Sequence, residues 1–385
     1  MQILVGTRKG AFIVEKSSGR WSPRLSGHAG AGVNFIDRDP NSGTLWAALG
    51  HGHWGAKLSR SDDGGATWSD AAQVKYPENA RYLAPPMPDE TGGVQGDTKL
   101  KDATLLKLWV LAFGPSGHIY VGTIPGGLFV SEDGGASFAL NLPLWNHESR
   151  GGDLSDGKGS GVTHWFGTPA AEGDFAPGIH SVAVDPRKPE RVLVAVSTAG
   201  VLETTDGGKS WRSRNKGMTM DYLPDPSAEW GHDPHFIAHC PSAPEHVWQQ
   251  NHCGVFYSAD GAATWKKVSN PAHGVHFGFP VAVDDEDGRT AWVVPGQSDM
   301  QRMAIDGGLF VARTTDGGES WRELRAGLPQ ENAYDVVYRH ALGNRGDVLA
   351  FGSTTGNLYV SEDRGESWQT VANNLPPVYS VRVSG

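Results

Sequence analysis

"SDDGGATW" at residues 61–68 returns as "SEDGGASF" (131–138), "TTDGGKSW" (204–211), "SADGAATW" (258–265), "TTDGGESW" (314–321) and "SEDRGESW" (361–368). A worn copy, "EKSSGRW", ends on Trp21. Internal repetition of this kind marks an array of like units. An apolar strand precedes the phrase, as in "GGLFV", "GVLET", "GVFYS" and "GNLYV". The phrase therefore sits at a hairpin between two strands. Its Asp can accept hydrogen bonds from the turn amides, and its glycines allow positive φ. The closing aromatic, Trp68, Phe138, Trp211, Trp265, Trp321 or Trp368, can pack under neighbouring strands.

Extending each copy backwards finds an inner strand for each unit. The units are expected at 32–70, 105–140, 177–213, 234–267, 275–323 and 332–370, with inner strands near 32–40, 107–115, 179–186, 234–241, 275–284 and 333–340. The last residues, "VYSVRVSG" (378–385), form one more inner strand, and residues 1–22 supply outer strands without one. Joined, 376–385 and 1–22 complete a seventh unit, the first blade in the count. A ring closed by strands from both ends removes exposed edges. The expected fold is all-β: one seven-bladed β-propeller spanning 1–385.

Bulk composition agrees with this. The chain has 385 residues with 52 Gly and 24 Pro, which suits many short strands joined by tight turns. Its formal net charge of -10, with no basic run, makes nucleic acid and anionic membranes poor partners. No apolar run approaches the roughly 20 residues of a membrane span. "MQILVGTRKGAFIVEK" alternates like a strand rather than a signal peptide, so a cytoplasmic location is expected. Cys240 and Cys253 fall toward opposite ends of neighbouring strands, which argues against a disulfide.

A propeller gathers the starts of its inner strands and the loops between second and third strands on one face. Here the inner strands open with Asn34, Trp109, His180, His235, His276, Tyr334 and Tyr379. The loops contribute Arg8, His51 and His53, Thr123, Ser197, Asn251 and His252, Gln297 and Ser298, and Thr354 and Thr355. Six of the fifteen histidines fall on this face. Neutral imidazole is the commonest metal ligand, so His180, His235, His252, His276 and His53 are the candidate ligands of a divalent Zn, Mn or Fe ion. The bland alternative is a polar funnel whose histidines bind only water and strand ends. His239 and His340 fall toward the far ends of their strands, where lining the channel is the simpler role. Long insertions at 69–104, 139–178 and 212–233 fall on the same face as lids or contacts, and an oligomer contact is open to them. Asp221, Asp225, Glu229 and Asp233 lie in the insertion that leads into His235.

The repeated phrase resembles the Asp-box, or BNR, repeat of sialidase-like β-propellers (the WD40/YVTN/BNR-like group). "GTRKGAF", "GIHSVAVDP", "GHDPH", "QQNHCGV" and "FGSTTGNLYVSEDRG" resemble bacterial BNR-repeat proteins labelled exo-α-sialidase or glycosyl hydrolase. The resemblance implies that the repeats lie at the periphery, away from the ligand face. It implies sialidase chemistry only weakly. No Phe-Arg-Ile-Pro-like phrase occurs, and Arg8 has no evident arginine partners, although Tyr334 with Glu331 leaves a Tyr–Glu pair open. Seven-bladed lyases that hold manganese with histidines are a further analogy at the level of fold.

Three functions remain open on the sequence. The first is a metal-dependent lyase or hydrolase acting on a small polar or acidic, sugar- or carboxylate-like substrate, with Tyr334, Tyr379, Asp233 and Arg8 as the candidate catalytic groups. The second is a metal-free glycosidase using paired carboxylates. The third is a non-catalytic binding or assembly platform.

Overall fold

The computed structural model describes residues 1–84, 99–158, 163–165 and 176–385. These residues form seven four-stranded sheets and a two-stranded ribbon, Arg81–Ala84 with Lys99–Asp102. The innermost strands of blades 1 to 7 are Val378–Ser384, Gly32–Arg38, Lys107–Phe113, Ile179–Val184, Pro234–His239, Gly278–Val283 and Leu342–Arg345. Each packs beside the next around a closed ring. In blade 1, Val378–Ser384 pairs antiparallel with Gln2–Thr7, and Gly10–Ser17 and Arg20–Gly27 follow outward. The molecule is an all-β seven-bladed propeller whose ring is closed by strands from both ends of the chain.

The repeated octapeptide caps the hairpin between the third and fourth strands. In the first full copy the Ser61 hydroxyl donates to Asp63 Oδ1 and accepts from Gly65 N–H, both at 2.8 Å. Asp63 then accepts from the Thr67 amide at 2.9 Å. The same bonds recur around Asp133, Asp206, Asp260, Asp316 and Asp363. Two successive residues must adopt left-handed backbone, as Gly64 (φ 72°) and Gly65 (φ 86°) do, and this explains the paired glycines. Ala262 and Arg364 accept the same conformation where a glycine is missing. In several blades the closing tryptophan stitches the blade to the one before it. Trp211 Nε1 donates to Asn141 Oδ1 at 3.0 Å, Trp265 to Arg214 O at 2.7 Å and Trp321 to Val268 O at 2.9 Å. The repeat is thus spent on the rim and on blade contacts.

At the channel mouth the inner strands share an irregularity. The pairing register skips Asn34 in blade 2, Trp109 in blade 3, His180 in blade 4, His235 in blade 5 and Tyr379 in blade 1. A bulge leaves one residue unpaired and re-aims its side chain, which is how these residues come to crowd the mouth. In blade 6 the skipped residues are Phe279 and Pro280. His276 therefore precedes the strand, and Phe279 takes the place that the sequence assigned to it.

Blade 7 departs furthest from expectation. The sequence places its inner strand over 333–340, whereas the paired strand is Leu342–Arg345. Buried Asp335 holds the preceding segment by accepting from Ser353 Oγ at 2.5 Å, Thr355 Oγ1 at 2.7 Å and Asn357 Nδ2 at 2.8 Å. The chain then runs across the channel. Arg339 Nε donates to His235 O at 3.1 Å, and His340 Nε2 donates to His180 O at 2.6 Å. The His340 ring lies edge-on to Phe35 at 5.0 Å and to Phe236 at 5.6 Å. Beneath it, the Arg382 guanidinium covers Phe35 and pairs with Asp37 at 3.4 Å. This plug separates the mouth from a cavity of about 440 Å3 at the opposite end of the channel, bordered by Asp37, Phe113, His239, Asn344 and Arg382.

Candidate functional site

At the mouth, blade 5 brings three donor side chains together. Asp233 immediately precedes the inner strand, His235 is its bulged residue and His252 stands in the turn between the second and third strands. Asp233 Oδ2 lies 3.4 Å from His235 Nε2 and 3.7 Å from His252 Nδ1. One ligand atom from each residue fits within 4.8 Å of the others. The local fold enforces this, because the His252 amide donates to Asp233 O at 2.9 Å and closes the hairpin end over the bulge.

The hydrogen bonding of His235 decides what the cluster can do. Its Nδ1 meets the Gly278 carbonyl at 2.6 Å. A carbonyl only accepts, so Nδ1 carries the proton and the Nε2 lone pair faces the Asp233 carboxylate. Burial pushes the His235 pKa down, with the Asp233 carboxylate opposing it, which favours the neutral ring. Burial works against the Asp233 anion, but the hydrogen bond and charge that His235 offers when its ring takes up a second proton, and then the neighbouring His252, outweigh it and hold the carboxyl below its usual range. With the ring neutral, a carboxylate faces an imidazole lone pair, an arrangement that a shared cation would relieve. Tetrahedral ligation at the usual bond lengths of about 2.1 Å sets neighbouring ligand atoms about 3.4 Å apart. The observed 3.4 and 3.7 Å separations fit it. Three protein ligands leave a fourth position open, as in catalytic rather than structural sites. The Gly278 carbonyl would orient His235 from behind.

Aromatic side chains close around the group. His235 stacks on Phe279 at 4.7 Å, and His252 meets the rings of Tyr222 at 5.4 Å and Phe277 at 6.0 Å. Solvent enters from the His252 side, where 29% of the side chain is exposed against 3% for His235.

The other candidates from the sequence lie elsewhere. His180 is fully buried beside Trp109, neither ring nitrogen has a hydrogen-bond partner among the described residues, and it falls outside the three-residue group. Burial, then the Arg339 charge, drives its pKa well below the ordinary histidine value. His276 Nε2 is engaged with Gln297 O at 3.1 Å. His53 is exposed, and its amide donates to His51 Nδ1. Arg8 is exposed in the turn after Thr7, its amide on Pro377 O. Tyr334 is 62% exposed because its segment is not a strand. Tyr379 stands at the mouth, 6.2 Å ring to ring from Tyr338. Asp221 accepts from Cys253 Sγ at 3.1 Å, and exposed Asp225 caps a turn at Ser227. Glu229 takes part through its backbone carbonyl, which accepts from Asn215 Nδ2 at 2.8 Å. Of the three insertions, 212–233 is described throughout, while 85–98, 159–162 and 166–175 of the other two lie outside the described residues.

No family model matches the chain. Over 170 residues, 42% of this chain, it is 30% identical to an oligoxyloglucan-reducing end-specific xyloglucanase of Emericella nidulans, and the match spans 19% of that protein's length. Among solved structures, an ancestral GH74 enzyme superposes with a TM-score of 0.54 at 15% identity, covering 89% of this chain and 38% of that one. YCF48 from Cyanidioschyzon merolae gives 0.50 at 17% identity, covering 93% and 87%. Likeness at these identities shows the fold. Among the described residues no helix is long and apolar enough to cross a membrane, and both cysteines are free thiols.

Phe277, Phe279 and Arg339 are mouth residues that escaped the sequence reading. Phe279 was hidden by a shift of three positions, and alignment of "GFPVAV" on "IHSVAV" would have found it. Arg339 has no counterpart in the other blades, since it rides on the segment that crosses the channel.

Proposed function

We propose that this protein is a hydrolase-like propeller acting on a polar, carbohydrate-like substrate at the channel mouth, with Asp233, His235 and His252 holding a divalent Zn, Mn or Fe ion. The observation that carries this reading is the His235 tautomer: with Nδ1 committed to Gly278, a lone pair and a carboxylate converge 3.4 Å apart. Such an ion would polarise the bond to be cleaved and lower the pKa of a bound water. Asp233 supplies the charge that retains the ion, and Gly278 fixes the His235 ring. Phe277 and Phe279 exclude bulk water on the buried sides, which strengthens every charge inside. The similarity to a xyloglucanase supports a sugar-like substrate and hydrolysis over elimination. We place the protein in the cytoplasm, a reading supported by two unpaired cysteines.

The test is the metal content of untagged protein purified without chelator, by elemental mass spectrometry, beside a His235→Ala/His252→Ala variant. About one equivalent of a transition metal, lost in the variant, is expected. Equal content in both overturns the site. The sequence match to a xyloglucanase favours one second reading, a metal-free glycosidase in which Asp233 is one of two carboxylates. It would be supported by hydrolysis of xyloglucan oligosaccharides that survives chelation and is lost in Asp233→Asn.

A further inference from the structure

The segment that crosses the channel delivers a cation to the mouth without delivering its counterion. Arg339 uses Nε on His235 O at 3.1 Å. Its guanidinium carbon lies 4.9 Å from the Trp109 ring centroid and 5.6 Å from that of Phe279, so aromatic rings of blades 3 and 6 hold it. Among the described residues, Nη1 and Nη2 have no hydrogen-bond or ion-pair partner. Arg150 is held in a similar way, on the rings of Trp145 and Trp165 with Nη1 on the Gly126 carbonyl and no ion pair among the described residues, whereas two other arginines are paired. Arg382 pairs with Asp37 at 3.4 Å, and Arg191 pairs with Glu203 at 2.8 Å and Asp185 at 3.2 Å. Burial lowers the Arg339 pKa only to about 10, so the group stays charged at neutral pH. Arg339 is only partly buried, so its guanidinium still meets water, and a ligand carboxylate that replaced this water would gain a charge-assisted contact in a shielded site.

The neighbouring charges sharpen this. Asp233 is the anion that acts most on Arg339, yet it lies outside ion-pair distance. A divalent ion on Asp233, His235 and His252 would consume that negative charge and leave the mouth with excess positive charge. A second guanidinium, Arg302, lies 5.6 Å from the Phe279 centroid, already paired with Asp299 at 2.6 Å. A guanidinium flanked by aromatic rings keeps its planar fork fixed and offers Nη1 and Nη2 for a two-point contact.

We propose that Arg339 is the residue that selects an anionic substrate, forming a two-point pair with a carboxylate on a small sugar acid whose reacting bond lies over Asp233, His235 and His252. The placement of that bond rests on the reading given under Proposed function; the carboxylate contact stands on Arg339 alone.

The test uses the full chain as purified, with glucuronate, galacturonate and acetate as probes, glucose as the neutral control and affinity read by calorimetry. Metal content is measured on every sample. Glucuronate or galacturonate should bind the native protein at least about tenfold more tightly than glucose does, and Arg339→Met should lose at least about tenfold of that affinity while keeping its metal. Arg339→Lys, which keeps the charge and loses the fork, should fall between them and serves where Arg339→Met folds poorly. Equal affinity of native protein and both variants for the acids, or no binding of any acid by the native protein, overturns the assignment of Arg339. Arg339-dependent binding in protein that holds no metal supports Arg339 and overturns the cation site, so the two readings fail separately.

Discussion

Blades 4 and 5 each bury a carboxylate, and the two are treated in opposite ways. Glu203, on the third strand of blade 4 with 1% of its side chain exposed, is saturated. Arg191 Nε donates to Oε1 at 2.8 Å, while Arg212 (2.8 Å) and Arg214 both donate to Oε2. Asp233, at the start of blade 5, has imidazole nitrogens at 3.4 and 3.7 Å and the Thr198 amide at 3.3 Å, all long for charge-assisted bonds. A carboxylate wrapped by three guanidiniums is a finished piece of structure. One facing a lone pair still has capacity for a ligand. The same residue type thus serves architecture or chemistry according to whether its partners are already in place.

If that contrast is right, Glu203→Ala has the largest effect on folding. It takes the shared carboxylate from Arg212 and Arg214, the latter well shielded (19% exposed), and leaves Arg191 (15% exposed) with Asp185 alone, and should cost about 3–5 kcal/mol by urea unfolding. A loss below about 1 kcal/mol would show that the cluster is a surface feature of little weight.

A smaller effect is expected from acid. Burial, with the Asp185 charge opposing it, pushes His239 down to about 4, and burial with the Arg382 charge pushes His340 well below its ordinary value. Both folded-state values lie below the unfolded value of about 6.5, so the unfolded chain takes up protons that the folded chain refuses. The stability these rings contribute is complete above about pH 6.5 and is lost as the pH falls toward 4. His239 alone should account for about 2 kcal/mol by pH 5. The urea midpoint should drop between pH 7.5 and 5, and less in His239→Gln. A flat profile would place these rings in contact with water and remove the distinction between lining the channel and filling it.

How far the contrast can be read from sequence follows from its physics. The rim was legible because its bonds are local: Ser61, Asp63, Gly65 and Thr67 satisfy one another within one turn, and six copies repeat the pattern. The ring closure was legible because "VYSVRVSG" is an inner strand with nothing after it. The mouth was legible in blade 5, where Asp233, His235 and His252 lie within one hairpin. It failed where position depends on distant contacts. The six donor residues to Glu203 and Asp335 lie outside the local turn, the two carbonyl partners of blade 7 lie in other blades, and neither the detour of 333–340 nor the arrival of Arg339 over Trp109 follows from the spacing of that segment. His276 was misplaced for the same kind of reason, since a bridge between Asn270 and Val275 absorbs residues that the pattern assigned to the strand.

The smallest expected effect is the one that separates the two carboxylates most cleanly. Asp233→Asn keeps the volume of the side chain and an oxygen for the Thr198 amide, while the His252 amide remains on the backbone carbonyl of residue 233. It removes a buried charge together with the imidazole contacts at 3.4 and 3.7 Å that offset its desolvation, so the two effects go together. In chelator-treated protein the substitution should therefore change unfolding free energy by less than about 1 kcal/mol, in either direction. Added zinc or manganese should then raise the melting temperature of the native protein and leave Asp233→Asn unmoved, because only a state that binds the ion gains from mass action. Were the substitution to cost as much as Glu203→Ala, the Asp233 carboxylate would already be satisfied within the fold. The capacity attributed to the mouth would then belong to Arg339 alone.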